Sequence, residues 1–285
     1  MSALPDVVMR SRNDGALVGA TLAGIKGQRM GNRLVVFDNA STDGSLEIIG
    51  QYADEIVAVP EGQYVPGRVL NDAMRRTTSP FVVFVNSDCT PLDDRWLETL
   101  LSGFDSEDVV ATFGQQVPRP DCWPLFAKDT VDTFGDGARQ KYWRHCFSMA
   151  SSAIRRSAWE RSPFREDLKY SEDVDWTWRQ RQMGGVIRYA PESRVYHSHN
   201  YTLAQWRKRQ FGEGYAESTI FEWQPWEESL LRYSVMPLAR QILSDVRYGI
   251  RSGQWRCLWD TVPMRWVQMM GRREGFLQGR RDAQG

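Results

Sequence analysis

Phe81-Val82-Val83-Phe84-Val85-Asn86-Ser87-Asp88 is the stretch that decides the fold of this chain. Its five apolar residues are β-branched or aromatic, and they form the most strand-like run in the sequence. Because polar residues follow at once, the strand is predicted to leave the core at Asn86, with Asp88 at its exit. A carboxylate in that position is a candidate functional group.

The first half of the chain repeats this pattern of a short apolar run followed by a helix-like stretch. Strand, helix and strand in this rhythm predict an α/β fold, with a mainly parallel sheet flanked by helices. The predicted strands are Asp6–Arg10, Arg33–Asp38, Glu55–Val59 and Phe81–Asn86, and the predicted helices are Ala16–Lys26, Ser45–Tyr52, Arg68–Arg76 and Asp93–Phe104.

Three of the predicted strands end in polar residues. These tails are Arg12-Asn13-Asp14, Asp38-Asn39 and Asn86-Ser87-Asp88. In open α/β sheets the ligand crevice lies beyond the carboxyl ends of the strands, so the tails are expected to converge on one site.

The second half of the chain is less regular. Prolines at 118, 120 and 124 predict a break in regular structure and a loop over the site. Glu172–Met183 is predicted as a helix that ends at Gly184-Gly185, followed by a strand at Val186–Ala190. The chain is then helical in character, rich in Trp and Arg, with breaks expected at Pro225, Pro237 and Pro263. We therefore expect a catalytic domain over residues 1–202 and a helical C-terminal extension over 203–285.

The composition is that of an ordinary globular protein. Of 285 residues, 41% are hydrophobic, and 36 basic side chains balance 36 acidic ones, which argues against a nucleic-acid partner. The apolar run Phe81–Val85 is far shorter than the ~20 residues that a membrane-spanning helix needs. The first residues do not have the pattern of a secretory signal, so a cytoplasmic location is expected. The four cysteines are widely scattered, which predicts reduced thiols.

The segment Asp38-Asn39-Ala40-Ser41-Thr42-Asp43-Gly44-Ser45 lies between a predicted strand and a predicted helix. A carboxylate at a strand end commonly accepts hydrogen bonds from ribose hydroxyls, so this loop could bind a nucleoside. In the alternative interpretation Asp43 caps the helix and Asp38 is a turn residue.

Asp88 and two histidines are candidate metal ligands. Mg²⁺ and Mn²⁺ take oxygen ligands and bridge phosphates, generally through one or two protein carboxylates. His197 and His199 are two of only three histidines in the chain, and imidazole is a common ligand of divalent transition metals. If the strand before them continues, their rings point to opposite sides, so one ring is expected to bind metal and His197 is preferred. Alternatively, Asp88 belongs only to a turn.

These motifs together resemble a family 2 glycosyltransferase with the GT-A fold, over about residues 6 to 202. The resemblance depends on their order: the Asp38–Asp43 loop, Pro66-Gly67-Arg68-Val69-Leu70-Asn71, Asn86-Ser87-Asp88, Glu172-Asp173 and His197-Ser198-His199. It implies a nucleotide diphosphate sugar as donor, a glycan or a lipid-linked molecule as acceptor, and a divalent cofactor, Mn²⁺ or Mg²⁺. Bacterial surface polysaccharide synthesis, including rhamnosyl transfer, is the process it indicates.

The resemblance also implies residue roles. Asp38 and Asp43 would contact the nucleoside, Arg68 and Asn71 the diphosphate, and Asp88 the metal as the last carboxylate of an Asp-x-Asp motif. Asp173 would be the general base of an inverting transfer, supported by Glu172. The remaining candidate contacts with the nucleotide sugar come from the strand tails: Asn13, Asn86 and Ser87. A simpler interpretation is that Glu172 and Asp173 are ordinary acidic residues in a helix's first turn.

The chain departs from the family pattern at two places. Asn86 stands where the Asp-x-Asp motif has its first Asp, which removes one negative charge. The first strand continues as Arg10-Ser11-Arg12, where the family more often has a proline and an aromatic residue. Two other functions therefore remain open: a nucleotidyltransferase, and a non-catalytic protein that binds nucleotide sugars.

The C-terminal extension is basic. Residues 207–281 contain 13 Lys and Arg against eight Asp and Glu, in a chain with no net charge. Arginines interleaved with tryptophans such as Trp255, Trp259 and Trp266 resemble an interfacial helix, which predicts peripheral contact with the inner face of the plasma membrane. The alternative is that these aromatic residues pack against the catalytic domain or a second subunit, as a homo-oligomer.

Overall fold

The computed structural model describes residues 4–222, 224 and 229–284, and they belong to two compact units. The first unit comprises Met1–Arg119, Thr130–Leu168 and Glu172–His197. The second comprises Pro120–Asp129, Lys169–Ser171 and Ser198–Gly285. The second unit therefore includes residues 120–129, 169–171 and 198–202, which the sequence assigned to the catalytic domain. None of the described helices is both long enough and apolar enough to cross a membrane.

The first unit is built on one eight-stranded sheet with the order β3-β2-β1-β4-β7-β6-β8-β5. Its strands are β1 Asp6–Ser11, β2 Arg33–Asp38, β3 Glu55–Ala58, β4 Phe81–Asn86, β5 Thr90–Pro91, β6 Val109–Val117, β7 Ser151–Arg155 and β8 Val186–Tyr196. The helices before residue 200 are α1 Val18–Lys26, α2 Ser45–Ile49, α3 Pro66–Arg76, α4 Trp96–Ser102, α5 Pro124–Phe134, α6 Arg156–Arg161 and α7 Glu172–Gln182, with a 3₁₀ turn at Gln140–Tyr142.

The parallel half of the sheet confirms the predicted strands. β1 lies between β2 and β4 and pairs with both in parallel, and β2 pairs in parallel with β3. In this register Ser11 is opposite Asp38, and Arg10 is opposite Asn86. The three polar tails therefore start from adjacent strand ends, as expected.

The other half of the sheet differs from the prediction. β7 lies between β4 and β6 and is antiparallel to both, while β6 and β8 are parallel, so the sheet is mixed although mostly parallel. β6 was not predicted, although its run Val109-Val110-Ala111-Thr112-Phe113 has a strand-like composition. β7 was not predicted either, because Ser151-Ser152-Ala153 has few of the β-branched and aromatic residues typical of strands. β7 is nevertheless a strand, because it is paired on both sides in the sheet, with β4 and with β6. Pro124 begins α5, where proline is tolerated, so the predicted irregular stretch ends there.

Both faces of the sheet are covered, which explains the continuous apolar runs. On one face Val8, Val35, Val82 and Phe84 belong to a core cluster that contains Leu70 and Met74 of α3. On the other face the intervening strand residues pack with residues of α1 and α4. Because successive strand side chains alternate between faces, both sets have to be apolar.

The second unit is helical. It contains α8 Leu203–Ile220, a π-helix at Leu230–Val235, α9 Met236–Ser252 and α10 Trp255–Asp282. Pro237 lies in the first turn of α9, where a break was predicted. The break predicted at Pro263 is wrong, because this residue lies inside α10. Pro225 lies outside the described residues. α8 and α10 approach closely at Gly275, where a Cβ atom would lie 1.9 Å from the carbonyl oxygen of Phe211.

Candidate active site

The loops after β1 and β2 are joined by reciprocal hydrogen bonds. The backbone N–H of Asn13 donates to Ser41 Oγ at 3.0 Å, and the backbone N–H of Thr42 donates to Asn13 Oδ1 at 2.8 Å. Asn13 adopts φ 53°, a left-handed conformation that asparagine tolerates better than most residues. Asn13 therefore fixes the shape of the predicted nucleoside loop.

Asp38 is buried at the end of β2 with unused hydrogen-bonding capacity. Its Oδ2 accepts a bond from the Ser41 N–H at 3.0 Å. Its Oδ1, together with Ser11 Oγ and Asn39 Oδ1, is buried without a hydrogen-bond partner among the described residues. An unsatisfied buried polar group costs about 1–3 kcal/mol, so three of them at the adjacent ends of β1 and β2 fit a polar ligand such as a nucleoside.

Asp43 is engaged within the same loops. Its Oδ2 accepts the Gly15 N–H at 2.8 Å and its Oδ1 accepts the Ser45 N–H at 3.1 Å. These bonds, with that from the Ser45 hydroxyl first among them, hold the pKa of Asp43 below its usual value. The N-cap of α2 is Gly44, without a side-chain cap bond, so the capping role of Asp43 is not confirmed and its nucleoside contact stays a prediction.

Arg10 connects the end of β4 to the first turn of α7. Its Nη2 donates to Asn86 Oδ1 at 3.0 Å, and its Nη1 lies 3.2 Å from Glu172 Oε1. The side chain of Arg10 is 14% exposed and that of Glu172 is 9% exposed, so the ion pair is largely shielded from water. Both residues of this hydrogen bond depart from the family pattern. Asn86 replaces the first Asp of the Asp-x-Asp motif, and Arg10 lies in the unusual stretch of the first strand.

Glu172 has a strongly shifted pKa. Burial, and then the neighbouring Asp173, raise the pKa of Glu172 to about 7, while Arg10 opposes this shift. Desolvation disfavours the charged carboxylate, and the nearby guanidinium favours it. Glu172 therefore titrates near neutral pH.

Asp173 is held by backbone amides and remains partly exposed. Its Oδ2 accepts the Met149 N–H at 2.9 Å, and its Oδ1 accepts its own helix's Val174 N–H at 2.8 Å. A carboxylate fixed by two amides keeps further lone pairs with which it can accept a proton. This geometry suits a general base.

Asp88 and His197 lie together at the strand ends. His197 Nε2 is 3.5 Å from Asp88 Oδ2, and His197 Nδ1 is 2.6 Å from Gln116 Oε1. Because Gln116 Nε2 donates to Ser148 Oγ at 2.9 Å, its Oε1 is the acceptor and Nδ1 carries the proton. The Nε2 lone pair of a neutral ring then points toward Asp88, which is the arrangement that metal-binding histidines usually have.

The surrounding residues fit a divalent cation. Ligand atoms of Asp88, Cys89 and His197 lie within 4.8 Å of one another. Cys89 is fully buried in the apolar core beside the sheet, and a thiol is a poor partner for Mg²⁺ or Mn²⁺, so Asp88 and His197 are the better ligand pair. Arg119 Nη2 lies 3.8 Å from Asp88 Oδ2, which places a guanidinium beside the same carboxylate.

The segment Ser148-Met149-Ala150 connects these groups. Ser148 bonds Gln116, the Met149 N–H bonds Asp173, and the Ala150 carbonyl accepts the Asn86 N–H at 3.1 Å. The segment thus bonds directly to the predicted base and to Asn86, and it reaches the predicted metal ligand His197 through Gln116.

Three predicted residues lie elsewhere. Arg68 is exposed and faces Glu166 at 3.5 Å, while the buried Asn71 amide bonds Glu166 Oε1 and the Phe164 carbonyl, both at 2.9 Å. Both residues thus contact the loop before α7, and their role at the diphosphate stays a prediction. His199 belongs to the second unit, where its ring lies 5.5 Å from that of Tyr201.

Sequence reasoning missed Arg10, Gln116 and Arg119 as members of the site. Arg10 carried a signal, because a charged residue inside an apolar strand is rarely buried without a partner. Gln116 lies on β6, which was not predicted, and Arg119 lies in the proline-rich stretch after it.

Comparison with known proteins shows the family of the chain. Residues 6–162 match the family model described as glycosyl transferase family 2. The O-antigen chain rhamnosyltransferase WbaN of Salmonella anatum is 30% identical over 64% of this chain and 62% of its own length. RfbN, an O-antigen chain rhamnosyltransferase of Salmonella typhimurium, is 26% identical over 73% of this chain and 70% of its own. The chain thus spans less than two thirds of the WbaN protein.

Solved structures share the fold. A mannosyltransferase of Pyrobaculum calidifontis, solved with GDP-Man and Mn²⁺, covers 99% of this chain and 88% of its own with a TM-score of 0.65 and 18% identity. Glucosyl-3-phosphoglycerate synthase of Mycobacterium tuberculosis, solved with Mn²⁺, UDP-Glc and phosphoglyceric acid, covers 77% of this chain and 79% of its own with a TM-score of 0.56 and 17% identity.

Proposed function

The chain belongs to glycosyl transferase family 2, and from this premise we propose that it transfers a sugar from a nucleotide diphosphate donor to a hydroxyl acceptor, with inversion at the anomeric carbon. The observation that carries the proposal is the segment 148–150, which hydrogen-bonds both to the predicted base, Asp173, and to Gln116, the partner of His197. The proposed groups for proton transfer and for metal binding are thereby connected through one short segment.

The donor is bound across the ends of β1, β2 and β4. Asp38 Oδ1 accepts a hydrogen bond from the nucleoside, and Ser11 Oγ and Asn39 Oδ1, two buried side-chain oxygens without a hydrogen-bond partner among the described residues, contribute further polar contacts. Asp88 and His197 Nε2 would hold Mn²⁺ or Mg²⁺. When bound, the cation neutralises charge on the diphosphate leaving group as a Lewis acid.

Asp173 performs the proton transfer. Its carboxylate takes the proton of the acceptor hydroxyl while that oxygen forms the new bond to the anomeric carbon. The bond from this carbon to the diphosphate breaks with its electron pair, so nucleoside diphosphate leaves. A single displacement of this kind inverts the configuration. Because α7 begins at Glu172, the contact of Glu172 with Arg10 fixes the helix turn that carries Asp173.

The acceptor is proposed from the relatives. Two O-antigen chain rhamnosyltransferases align with most of the chain, so we place the reaction in the assembly of a surface polysaccharide, with a growing glycan or a lipid-linked sugar as acceptor. Rhamnose is the first donor sugar to be tested.

The proposal is tested by incubating the full chain with UDP-, GDP- and dTDP-sugars and with Mn²⁺, Mg²⁺ or EDTA. We expect one donor to be hydrolysed slowly without acceptor, to release nucleoside diphosphate, and to need a divalent cation. The anomeric configuration of the first product, read by NMR, tests inversion. Release of pyrophosphate would instead identify a nucleotidyltransferase, and the absence of turnover with every donor would support a non-catalytic protein.

A further inference from the structure

The helix α10 presents an apolar face to solvent. Trp255 is 61% exposed, Trp259 82% and Trp266 54%, and Val262 between them is 58% exposed. These positions are separated by four, three and four residues, so they share one side of the helix. The opposite side is buried, where Met264 belongs to a cluster with Leu125 and Phe126.

The preceding helix α9 has an exposed face that mixes apolar and basic residues. Met236, Leu243 and Ile250 follow one another at seven-residue intervals and are 42%, 56% and 57% exposed. The same side carries three exposed arginines, at the intermediate helical positions: Arg240, Arg247 and Arg251. Asp245 and Gly249 lie on the opposite, buried side.

The charge on this surface has one sign. Over residues 229–266 the exposed charged residues are all arginines. Asp245 is fully buried and pairs with Arg265 and Lys128, and Asp260 pairs with Arg256. Arg240, Arg247 and Arg251 have no ion-pair partner within the part of the chain that the structure describes.

We infer that the exposed faces of α9 and α10 form a membrane-contact surface for an anionic lipid bilayer, defined by Arg240, Leu243, Arg247, Ile250, Arg251, Trp255, Trp259, Val262 and Trp266. Tryptophan is the residue most characteristic of the membrane–water interface, where its ring lies at the level of the headgroups. The interleaved arginines meet anionic headgroups, and a basic side chain near such a surface contributes to binding. Charge complementarity and exposed tryptophans on neighbouring helices therefore specify the same partner.

This surface lies wholly in the second unit, and the inference does not depend on the proposed transferase reaction. Lipid binding can be measured without donor or acceptor, so it can succeed or fail independently of activity. It also explains how helices too short or too polar to span a bilayer could bring the protein to it.

The test is co-sedimentation of the full chain with vesicles of phosphatidylcholine alone or mixed with phosphatidylglycerol. We expect the protein to pellet with the mixed vesicles at 0.1 M salt and to be released as the screening length falls from ~10 Å toward ~3 Å at 1 M salt. Equal binding to both vesicle types, or none to either, would overturn the inference.

Two variants test the two parts of the surface. Because one basic residue contributes about fivefold to partitioning, R240E/R247E/R251E should lower the partition coefficient by at least about 100-fold. W255S/W259S/W266S should also abolish sedimentation. The control R29E/R95E/R161E changes net charge equally at exposed arginines of the first unit and should bind like the parent chain. Circular dichroism checks that each variant is folded.

A second copy of the chain is the competing occupant. Light scattering measures the molar mass of the parent chain and of the tryptophan variant. A dimer in the parent that becomes a monomer in W255S/W259S/W266S, without vesicle binding by the parent, would assign the surface to self-association and overturn the inference.

Discussion

Arg10 Nη1 lies 3.2 Å from Glu172 Oε1, and this contact joins the end of the first strand to the helix that carries Asp173. The same guanidinium donates to Asn86 Oδ1 at 3.0 Å. Arg10 thus contacts both Asn86 and Glu172. Asn86 is the residue that replaces the first Asp of the family motif.

We predict that Arg10→Met moves the acidic limb of the pH–rate profile to higher pH. Arg10 opposes the upward shift in the pKa of Glu172, so its removal leaves the carboxyl protonated to higher pH. The profile of transfer rate against pH checks this. Arg10→Lys retains the charge and should restore much of the parent profile, whereas an unshifted profile in Arg10→Met would separate Glu172 from activity.

Glu172 also makes a contribution to stability that depends on pH. Its pKa in the fold is about 7, above the ordinary glutamate value of 4.5, so the native state retains a proton that the unfolded state releases. This contribution is fully present below pH 4.5 and is lost as the pH rises through 7. His145 acts in the opposite sense, because burial and then Arg181 lower its pKa from 6.5 to about 4.

The variant Glu172→Gln isolates this contribution. The melting temperature of the variant should rise relative to that of the parent as the pH increases from 5 to 8. The contribution of His145 is the same in both proteins, so it drops out of the difference. Thermal melts at four pH values measure it, with Glu160→Gln, at an exposed position, as the matched control. A difference that stays constant with pH would contradict the assigned pKa.

Asp173→Asn should abolish transfer while leaving donor affinity nearly unchanged. The amide keeps the shape of the side chain but cannot accept the proton, and loss of a general base typically costs 10²–10⁴-fold in rate. Single-turnover transfer and donor titration measure the two effects separately. A variant that retains a rate within threefold of the parent would remove Asp173 from the mechanism.

Asp88→Ala and His197→Ala should each weaken donor binding that depends on Mn²⁺. Each removes one of the two ligands that lie 3.5 Å apart, and Asn86 offers only a neutral oxygen in exchange. Titration calorimetry with donor, with and without Mn²⁺, measures the effect. His145→Ala is the control, because this histidine bonds Thr177 on α7 and is not one of the proposed metal ligands. Full donor affinity in Asp88→Ala, unaffected by EDTA, would disprove the metal site.

Gly67→Ala should destabilise the first unit by about 1–3 kcal/mol, in the range of overpacking substitutions. A Cβ atom there would lie 1.9 Å from the carbonyl oxygen of Arg165, and backbone atoms on both sides would have to move. Chemical denaturation measures the loss. Gly19→Ala is the matched control in another helix, where the nearest atom lies 3.6 Å from the new Cβ and stability should not fall.

The sequence by itself determined the parallel half of the sheet and the polar tails of its strands. Apolar runs such as Phe81–Val85 specify buried strands locally, and the Asp38, Asn86 and Asp88 positions follow from where those runs end. The position of Asp173 in the first turn of a helix was likewise readable, because the acidic start and the Gly184-Gly185 end are local signals.

Only the tertiary structure decided which of these side chains act together. Arg10 and Glu172 are 162 positions apart, and His197 and Gln116 are 81 apart, so no local pattern relates them. β7 has few strand-forming residues and is a strand because its neighbours β4 and β6 satisfy its backbone hydrogen bonds. Local periodicity encodes which residues face a core, whereas pairing between distant segments depends on the free energy of the whole fold.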